Sequence, residues 1–95
     1  MANTSSKTRK NSQTAQAPVA RIRLGLLTAS IWERVQLTGT FYSVTIDRRY
    51  RDSKGEWHTT HSFDKANLLT LAKLVDLADT EIIRRLAAHR EQAAA

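Results

Sequence analysis

Cysteine is absent from the chain, proline occurs once, and three glycines stand far apart among the 95 residues. Without cysteine, neither a disulfide nor a thiolate metal site can form, and isolated glycines exclude a glycine-rich phosphate-binding loop. No apolar run approaches the ~20 residues that span a membrane, and the first residues lack the hydrophobic stretch of a secretory signal. These absences predict a soluble, cytoplasmic protein that is held together by packing alone.

The residue groups that carry catalysis are also missing. The three histidines (His58, His61 and His89) have no serine elbow or paired carboxylates beside them in the sequence. The odd spacing of His58 and His61 sends their rings to opposite faces of a strand, so one metal ion cannot bind both. We therefore expect no enzymatic activity, no metal and no cofactor. The histidines are expected to be polar surface residues or cross-strand partners, such as His61 with Asp47.

Positive charge dominates the chain and is unevenly distributed. Fifteen Lys and Arg against nine Asp and Glu give a net charge of +6. Residues 1–18 hold three bases and no acid, residues 19–63 hold seven bases and four acids, and residues 64–95 hold five of each. A basic part beside a neutral one is the electrostatic layout of a protein that binds nucleic acid, which is a polyanion.

The sequence divides into an arm and one domain. Residues 1–18 are rich in Ser, Thr, Asn, Gln and Ala and offer nothing to bury, which predicts a disordered basic arm. Its charge either adds phosphate contacts or only aids solubility. Residues 19–91 are expected to form a β-sheet-plus-helix domain. That domain is small enough for association with a second copy to stabilise it.

Three segments of the domain alternate between apolar and polar residues with period two, as half-buried strands do. In the first, the apolar positions are even up to Leu24 and odd from Leu27. We expect a bulge at Gly25 to absorb that shift, unless the segment splits into two strands. The second strand is expected at Phe41–Arg51 and the third at Glu56–Phe63, both rich in β-branched and aromatic residues.

The turn at residues 52–55 leaves two registers open for the hairpin that it joins. A three-residue loop that ends on the glycine pairs Arg51 with Trp57 and agrees best with turn chemistry. A four-residue loop pairs Ile46 with Phe63 and buries both side chains. Because core burial outweighs a preference among loops, we expect the second register.

From Lys65 to about Arg90 the apolar period becomes helical, with Asp64 as the N-cap. The stripe expected to face the sheet consists of Leu68, Leu71, Ala72, Val75, Ala78, Ile82 and Leu86. The residues off that stripe, expected to form a homodimer interface, are Leu69, Leu74 and Leu77. The alternative is a few exposed leucines, which are common on any surface. The predicted fold class is α+β, an antiparallel sheet of three to four strands followed by one long C-terminal helix.

A basic and aromatic cluster around the turn at 52–55 is the expected functional site. Unpaired bases stack on aromatic rings while arginine neutralises phosphate, a combination that suits single strands because their bases have a free face. The predicted nucleic-acid-binding residues are Arg21, Arg23, Trp32, Arg48, Arg49, Tyr50, Arg51, Lys54 and Trp57. Alternatively, the arginines only protect exposed strand edges and Trp57 caps the core.

The run from Tyr42 to Trp57 resembles the positive cofactor four family of transcriptional coactivators, single-stranded DNA-binding proteins made of strands followed by a helix. The Whirly proteins are similar in outline. The resemblance covers Ile22 to about Leu86 and implies that Tyr50 stacks on a base and that a basic hairpin is formed by Arg48, Arg51 and Lys54. It also implies a homodimer through the helices, with two curved sheets as the binding grooves. This chain departs from the family in a longer first hairpin and a shorter link before the helix.

The sequence therefore predicts a protein that binds single-stranded DNA or RNA with little sequence specificity. A transcription or replication accessory factor, associated with the nucleoid, is one role of that kind. Two alternatives stay open. One is a protein-interaction or dimerisation module whose helix is the working surface, and the other is a regulator that inserts a β-ribbon into the major groove of a duplex.

Overall fold

The computed structural model describes residues 17–94, and the side chains of residues 17–91. Most of the predicted arm, residues 1–16, lies outside the described residues. The strands are β1 (Ala20–Leu24), β2 (Leu27–Gln36), β3 (Gly39–Arg51) and β4 (Trp57–Thr60), which form one antiparallel sheet in the order β1-β2-β3-β4. A 3-10 turn (Lys65–Asn67) leads into the helix α1 (Leu68–Ala94). The predicted α+β fold is confirmed.

Gly25 lies in a tight turn, and the bulge expected there is wrong. Leu24 and Leu27 face each other across a two-residue loop. Gly25 has φ +62°, and no described residue other than glycine has a positive φ. Glycine at the first central position is what a type II′ hairpin requires. In such a hairpin the even positions of β1 pair with the odd positions of β2, which explains the shift of the apolar pattern.

The register of β3 and β4 follows the three-residue loop, so the expected four-residue loop is wrong. Arg51 lies opposite Trp57, and β4 is four residues long, shorter than the strand expected at 56–63. Because β4 ends at Thr60, Phe63 does not pair with Ile46. It packs against the core from the loop before the helix, so burial of Phe63 does not depend on the register.

Asp52 organises the turn that fixes this register. Its backbone carbonyl accepts the N–H of Gly55 at 2.9 Å. Its Oδ1 accepts the backbone N–H groups of Lys54 at 2.8 Å and Glu56 at 2.9 Å. Gly55 has φ +83°, the left-handed conformation that ends a type I turn in a three-residue hairpin loop.

The core lies between α1 and one face of β1 and β2. Its fully buried members are Leu27, Ala29, Ile31, Leu74 and Ala78. Leu74 is 0% exposed and cannot reach a second copy, so its expected place in a dimer interface is wrong. Conversely Leu68, Ala72 and Val75 of the expected sheet-facing stripe are exposed. Leu71, Ala78 and Ile82 of that stripe do pack in or against the core, so the helix is rotated by only part of a turn relative to the sequence-based expectation.

Polar contacts near the end of α1 join it to the sheet and fix that rotation. Before its start, Asp64 is the N-cap of the 3-10 turn that leads into α1, and its backbone N–H donates to Asn67 Oδ1 at 3.1 Å. Near its end Arg85 Nη2 donates to the carbonyl of Val19 at 3.2 Å. His89 Nε2 lies 2.9 Å from the hydroxyl of Tyr42. Arg85 thus faces the β1 side of the sheet and His89 faces the β3 side.

Candidate nucleic-acid interface

One face of the sheet is covered by α1, and no described element covers the other, which we call the open face. Strand alternation and the observed pairing assign its residues. The charged and aromatic members are Arg21 and Arg23 of β1, Trp32 and Arg34 of β2, Phe41, Asp47, Arg49 and Arg51 of β3, and Trp57 of β4. Six of the nine predicted binding residues thus lie on one surface.

The open face carries most of the charge of the sheet. It holds five arginines and a single acid, Asp47, among the described residues. The other acids of this region lie elsewhere, with Glu33 on the face toward α1 and with Asp52 and Glu56 in the turn. The basic character that the sequence shows for residues 19–63 is therefore concentrated on the face that the helix leaves uncovered.

Trp57 lies at one end of the open face between two arginines. The Arg49 guanidinium carbon is 4.6 Å from the centre of the Trp57 ring, and that of Arg51 is 5.5 Å from it. Arg51 Nε also donates to the carbonyl of Gly55 at 3.2 Å. Attraction between cation and ring orients these groups. An exposed aromatic surface consequently lies beside two positive charges.

Trp32 lies near the other end of the open face. Its Nε1 donates to Thr45 Oγ1 at 2.9 Å, and its ring lines a depression together with Arg34, Ser43 and Thr45. Phe41 is exposed and pairs with Arg34 across the strands. Sequence reasoning missed both Arg34 and Phe41. Period-two alternation would have found them once β2 and β3 were paired by a two-residue loop.

Arg48 and Tyr50 lie on the face toward α1, away from Trp57. Arg48 Nε donates to the carbonyl of Ser62 at 2.9 Å, and the Arg48 side chain is only 15% exposed. Tyr50 stacks on His58 with ring centres 5.3 Å apart, and the Arg48 guanidinium carbon lies 5.6 Å from the Tyr50 ring. The hairpin thus separates the residues that the sequence suggested would act together.

The turn between these two faces carries a compact set of polar side chains. Asp52 Oδ2 is 2.7 Å from His58 Nε2. This hydrogen bond, with those from the turn backbone, lowers the pKa of Asp52 below its ordinary value. Possible ligand atoms of Asp52, Glu56 and His58 lie within 4.8 Å of one another. Both Asp52 oxygens already accept hydrogen bonds, so the turn itself explains this cluster. Lys54 is exposed beside it.

The other two histidines, His61 and His89, have different surroundings. His61 follows the end of β4, so the suggested cross-strand pair with Asp47 does not form. His89 approaches Glu33, with Nε2 3.5 Å from Oε2, and both contact the Tyr42 hydroxyl. Burial raises the pKa of Tyr42, and the neighbouring carboxylate raises it further. These groups attach the helix to the sheet and lie away from the open face.

Comparison with known proteins finds no relative: no family model, no curated protein and no solved structure matches the chain. The similarity of Tyr42–Trp57 to the positive cofactor four family stays a prediction. None of the described helices is long and apolar enough to cross a membrane.

Proposed function

We propose that this protein binds single-stranded DNA or RNA on the open face, with little preference for sequence. One observation carries the proposal. Five arginines and three aromatic rings share a sheet face that no described element covers, and two of those arginines flank Trp57. Flat rings beside guanidinium groups are what a strand with unpaired bases and charged phosphates requires.

The chemistry of the face accounts for the expected lack of sequence preference. Stacking on Trp32, Phe41 or Trp57 uses the flat surface that every base has, and arginine contacts to phosphate carry no base identity. Trp32 lies opposite Ser43 and Trp57 opposite Arg51. The two tryptophans are therefore separated by about 27 Å along the strands, and a bound strand contacts both only by crossing the sheet diagonally.

A competition titration tests the proposal. Single-stranded and duplex oligonucleotides of equal length compete for the full chain at several salt concentrations. We expect a preference for the single strand, with the logarithm of affinity falling linearly as the logarithm of salt concentration rises. Equal weak binding to both would reduce the interaction to general charge attraction and overturn the proposal. A preference for the duplex would favour the regulator that inserts a β-ribbon.

Two aromatic variants locate the binding face. Trp57→Ala is expected to lower single-strand affinity by about 1–3 kcal/mol, roughly 5- to 150-fold, because it removes a stacking surface. Tyr50→Ala is the matched control, since Tyr50 lies at the same end of the hairpin on the opposite face. A larger loss for Tyr50→Ala than for Trp57→Ala would place the site on the face toward α1 and contradict the open-face assignment.

A further inference from the structure

β3 has a long edge that no described strand covers. The strand is 13 residues long, but β4 pairs only with Arg48–Arg51. Residues Gly39–Asp47, which we call the unpaired edge, have β2 on one side and no described strand on the other. A row of backbone donors and acceptors without a neighbouring strand is a template for pairing with another chain.

The hydrogen bonds around β3 show which backbone groups point outward. Arg49 N–H donates to the carbonyl of Leu26 at 2.9 Å, and Asp52 N–H donates to the carbonyl of Glu56 at 2.8 Å. Odd-numbered residues of β3 therefore direct their backbone groups toward β2, and even-numbered residues direct theirs away from it. The outward backbone groups of the unpaired edge belong to Thr40, Tyr42, Val44 and Ile46.

The composition of the unpaired edge does not protect it. Its sequence, Gly-Thr-Phe-Tyr-Ser-Val-Thr-Ile-Asp, contains no Lys, Arg or Pro, and its only charged residue is at the end. β-Branched and aromatic residues predominate, and these are the residues that strands favour. Proteins usually protect an exposed edge with lysine, proline or a bulge, so this segment is suited to pairing.

An apolar flank of α1 lies along the same side of the molecule. The helix packs on β1 and β2, so Val44 and Ile46 of β3 are only partly buried at the margin of the core. On a helical wheel with 100° per residue, Arg85 faces β1 and His89 faces β3. The next positions in the same direction are those of Val75 and Leu68, and both of these side chains are exposed. The flank formed by Leu68 and Val75 therefore continues the apolar surface that begins at the unpaired edge.

We propose that the unpaired edge pairs with the unpaired edge of a second copy, antiparallel and around a two-fold axis. The occupant is a second copy because one segment supplies both halves of an antiparallel pair, as a two-fold interface demands. The edge carries no charge before Asp47, and the flank of α1 beside it is apolar, which suits such a self-association. Two four-stranded sheets then join into one, with both helices on one side and both open faces on the other. The pairing of the two edges does not require nucleic acid.

Concentration-dependent amide exchange, measured on the full chain beside its sedimentation mass, tests the proposal. We expect a dimer in which the amides of Tyr42, Val44 and Ile46 are protected, and a loss of that protection on dilution. The odd-numbered amides of Ser43 and Thr45 are bonded to β2 and stay protected in both states. A monomer at all concentrations, or a dimer whose even-numbered amides remain unprotected, would overturn the proposal.

Engineered cysteines give a second test. The chain has no cysteine of its own, so in a variant with a single cysteine any disulfide must join two copies. Ser43→Cys lies at the middle of the unpaired edge and is expected to form a disulfide dimer under mild oxidation if the pairing centres on Ser43. A mixture with Thr45→Cys detects pairing centred on Val44. Ser53→Cys, in the exposed turn, is the control. Equal rates at all these positions would indicate random collision and contradict the proposal.

Two helix variants separate this interface from the one that the sequence suggested. Val75→Lys places a charge on the apolar flank and is expected to weaken the dimer at least tenfold. Leu69→Lys changes a residue that is 86% exposed on another side of the helix and is expected to leave the dimer unchanged. If Leu69→Lys dissociates the dimer and Val75→Lys does not, the interface lies elsewhere and the proposal is wrong.

Discussion

Neighbouring arginines of β3 have different surroundings because successive strand residues point to opposite faces. Arg48 points toward α1, where its guanidinium holds the loop after β4 through Ser62 and lies 3.9 Å from Asp64. Arg49 points to the open face and lies against Trp57. One arginine therefore serves the fold, and the other is exposed on the open face.

Substitution of these two arginines should separate stability from binding. Arg48→Gln is expected to lower the free energy of unfolding by about 1–2 kcal/mol, because it removes a hydrogen bond from a mostly buried group. Arg49→Gln is expected to change stability by less than about 0.5 kcal/mol. It should reduce the slope of log affinity against log salt by about 0.7, as loss of one single-strand phosphate contact does. Denaturant unfolding and salt-dependent titration measure the two effects, and a reversed pattern would contradict the face assignment.

The Asp52 carboxylate gives the turn a pH dependence whose sign follows from its pKa. Its hydrogen bonds to His58 and to the turn backbone lower that pKa in the folded protein. The stabilisation is therefore present at neutral pH and is lost as the pH falls through the lowered pKa, below about pH 4. The amide resonances of Lys54 and Glu56, which donate to Asp52, should report this transition. Asp52→Asn should abolish it, and an unchanged transition in that variant would assign it to another carboxyl group.

At the scale of single elements, strand content was easier to predict than strand pairing. The alternating pattern located β3 and the segment that holds β1 and β2, but it favoured one bulged strand where the structure has two strands joined by a turn at Gly25. The register of β4 was not predictable from periodicity, because the argument for burying Phe63 assumed that the strand reached it. In the structure, Asp52 and the left-handed Gly55 determine the turn, and Phe63 packs from a loop.

The rotation of α1 about its own axis is a second feature that the apolar pattern did not determine. Two sets of apolar residues run along the helix, and either could face the sheet on pattern alone. The contacts of Arg85 with Val19 and of His89 with Tyr42 hold the helix between these two expectations, so that Leu74 faces the sheet together with Leu71, Ala78 and Ile82 of the expected stripe. Those contacts join residues 66 and 47 positions apart in the chain, so no local pattern reveals them.

Leucine substitutions test the observed rotation of the helix. Leu74→Ala is expected to destabilise the protein by about 2–5 kcal/mol, because it opens a cavity at a site with no solvent exposure. Leu69→Ala is the matched control and is expected to cost less than about 0.5 kcal/mol. Thermal or denaturant unfolding of the two variants measures the difference. Equal costs would contradict the observed difference in burial between Leu74 and Leu69.

The first hairpin depends on one glycine conformation. Gly25→Ala is expected to destabilise the fold by about 1–2 kcal/mol, since a left-handed conformation is unfavourable for residues with a Cβ. No neighbouring atom lies within 4 Å of the added carbon, so the cost is conformational. Leu26→Ala, at the exposed second position of the loop, should stay within about 0.5 kcal/mol. A neutral Gly25→Ala variant in denaturant unfolding would contradict the type II′ assignment.

At the scale of the whole molecule, the sequence showed where along the chain the basic residues lie. It did not show how they divide between the two faces of the sheet. The counts divided the excess of basic residues equally between the arm and the strand region, and the structure assigns five arginines of the strand region to one face. Which arginines serve the fold depends on partners such as Ser62, far from Arg48 in sequence. The residue types of the candidate site were therefore predictable, whereas its boundary required the sheet register.

Deletion of the basic arm can separate general electrostatic attraction to nucleic acid from the proposed preference for single strands. Residues 1–16 carry Lys7, Arg9 and Lys10 and no acid. Their removal should reduce the salt dependence of single-strand binding by about 2 in slope, if all three contact phosphates. The ratio of single-strand to duplex affinity should stay the same, because the proposed preference arises from stacking on the open face. Parallel titrations of the full and shortened chains measure both quantities, with Trp57→Ala in the full chain as the variant that changes the ratio. If the deletion abolishes the preference and Trp57→Ala does not, recognition resides in the arm.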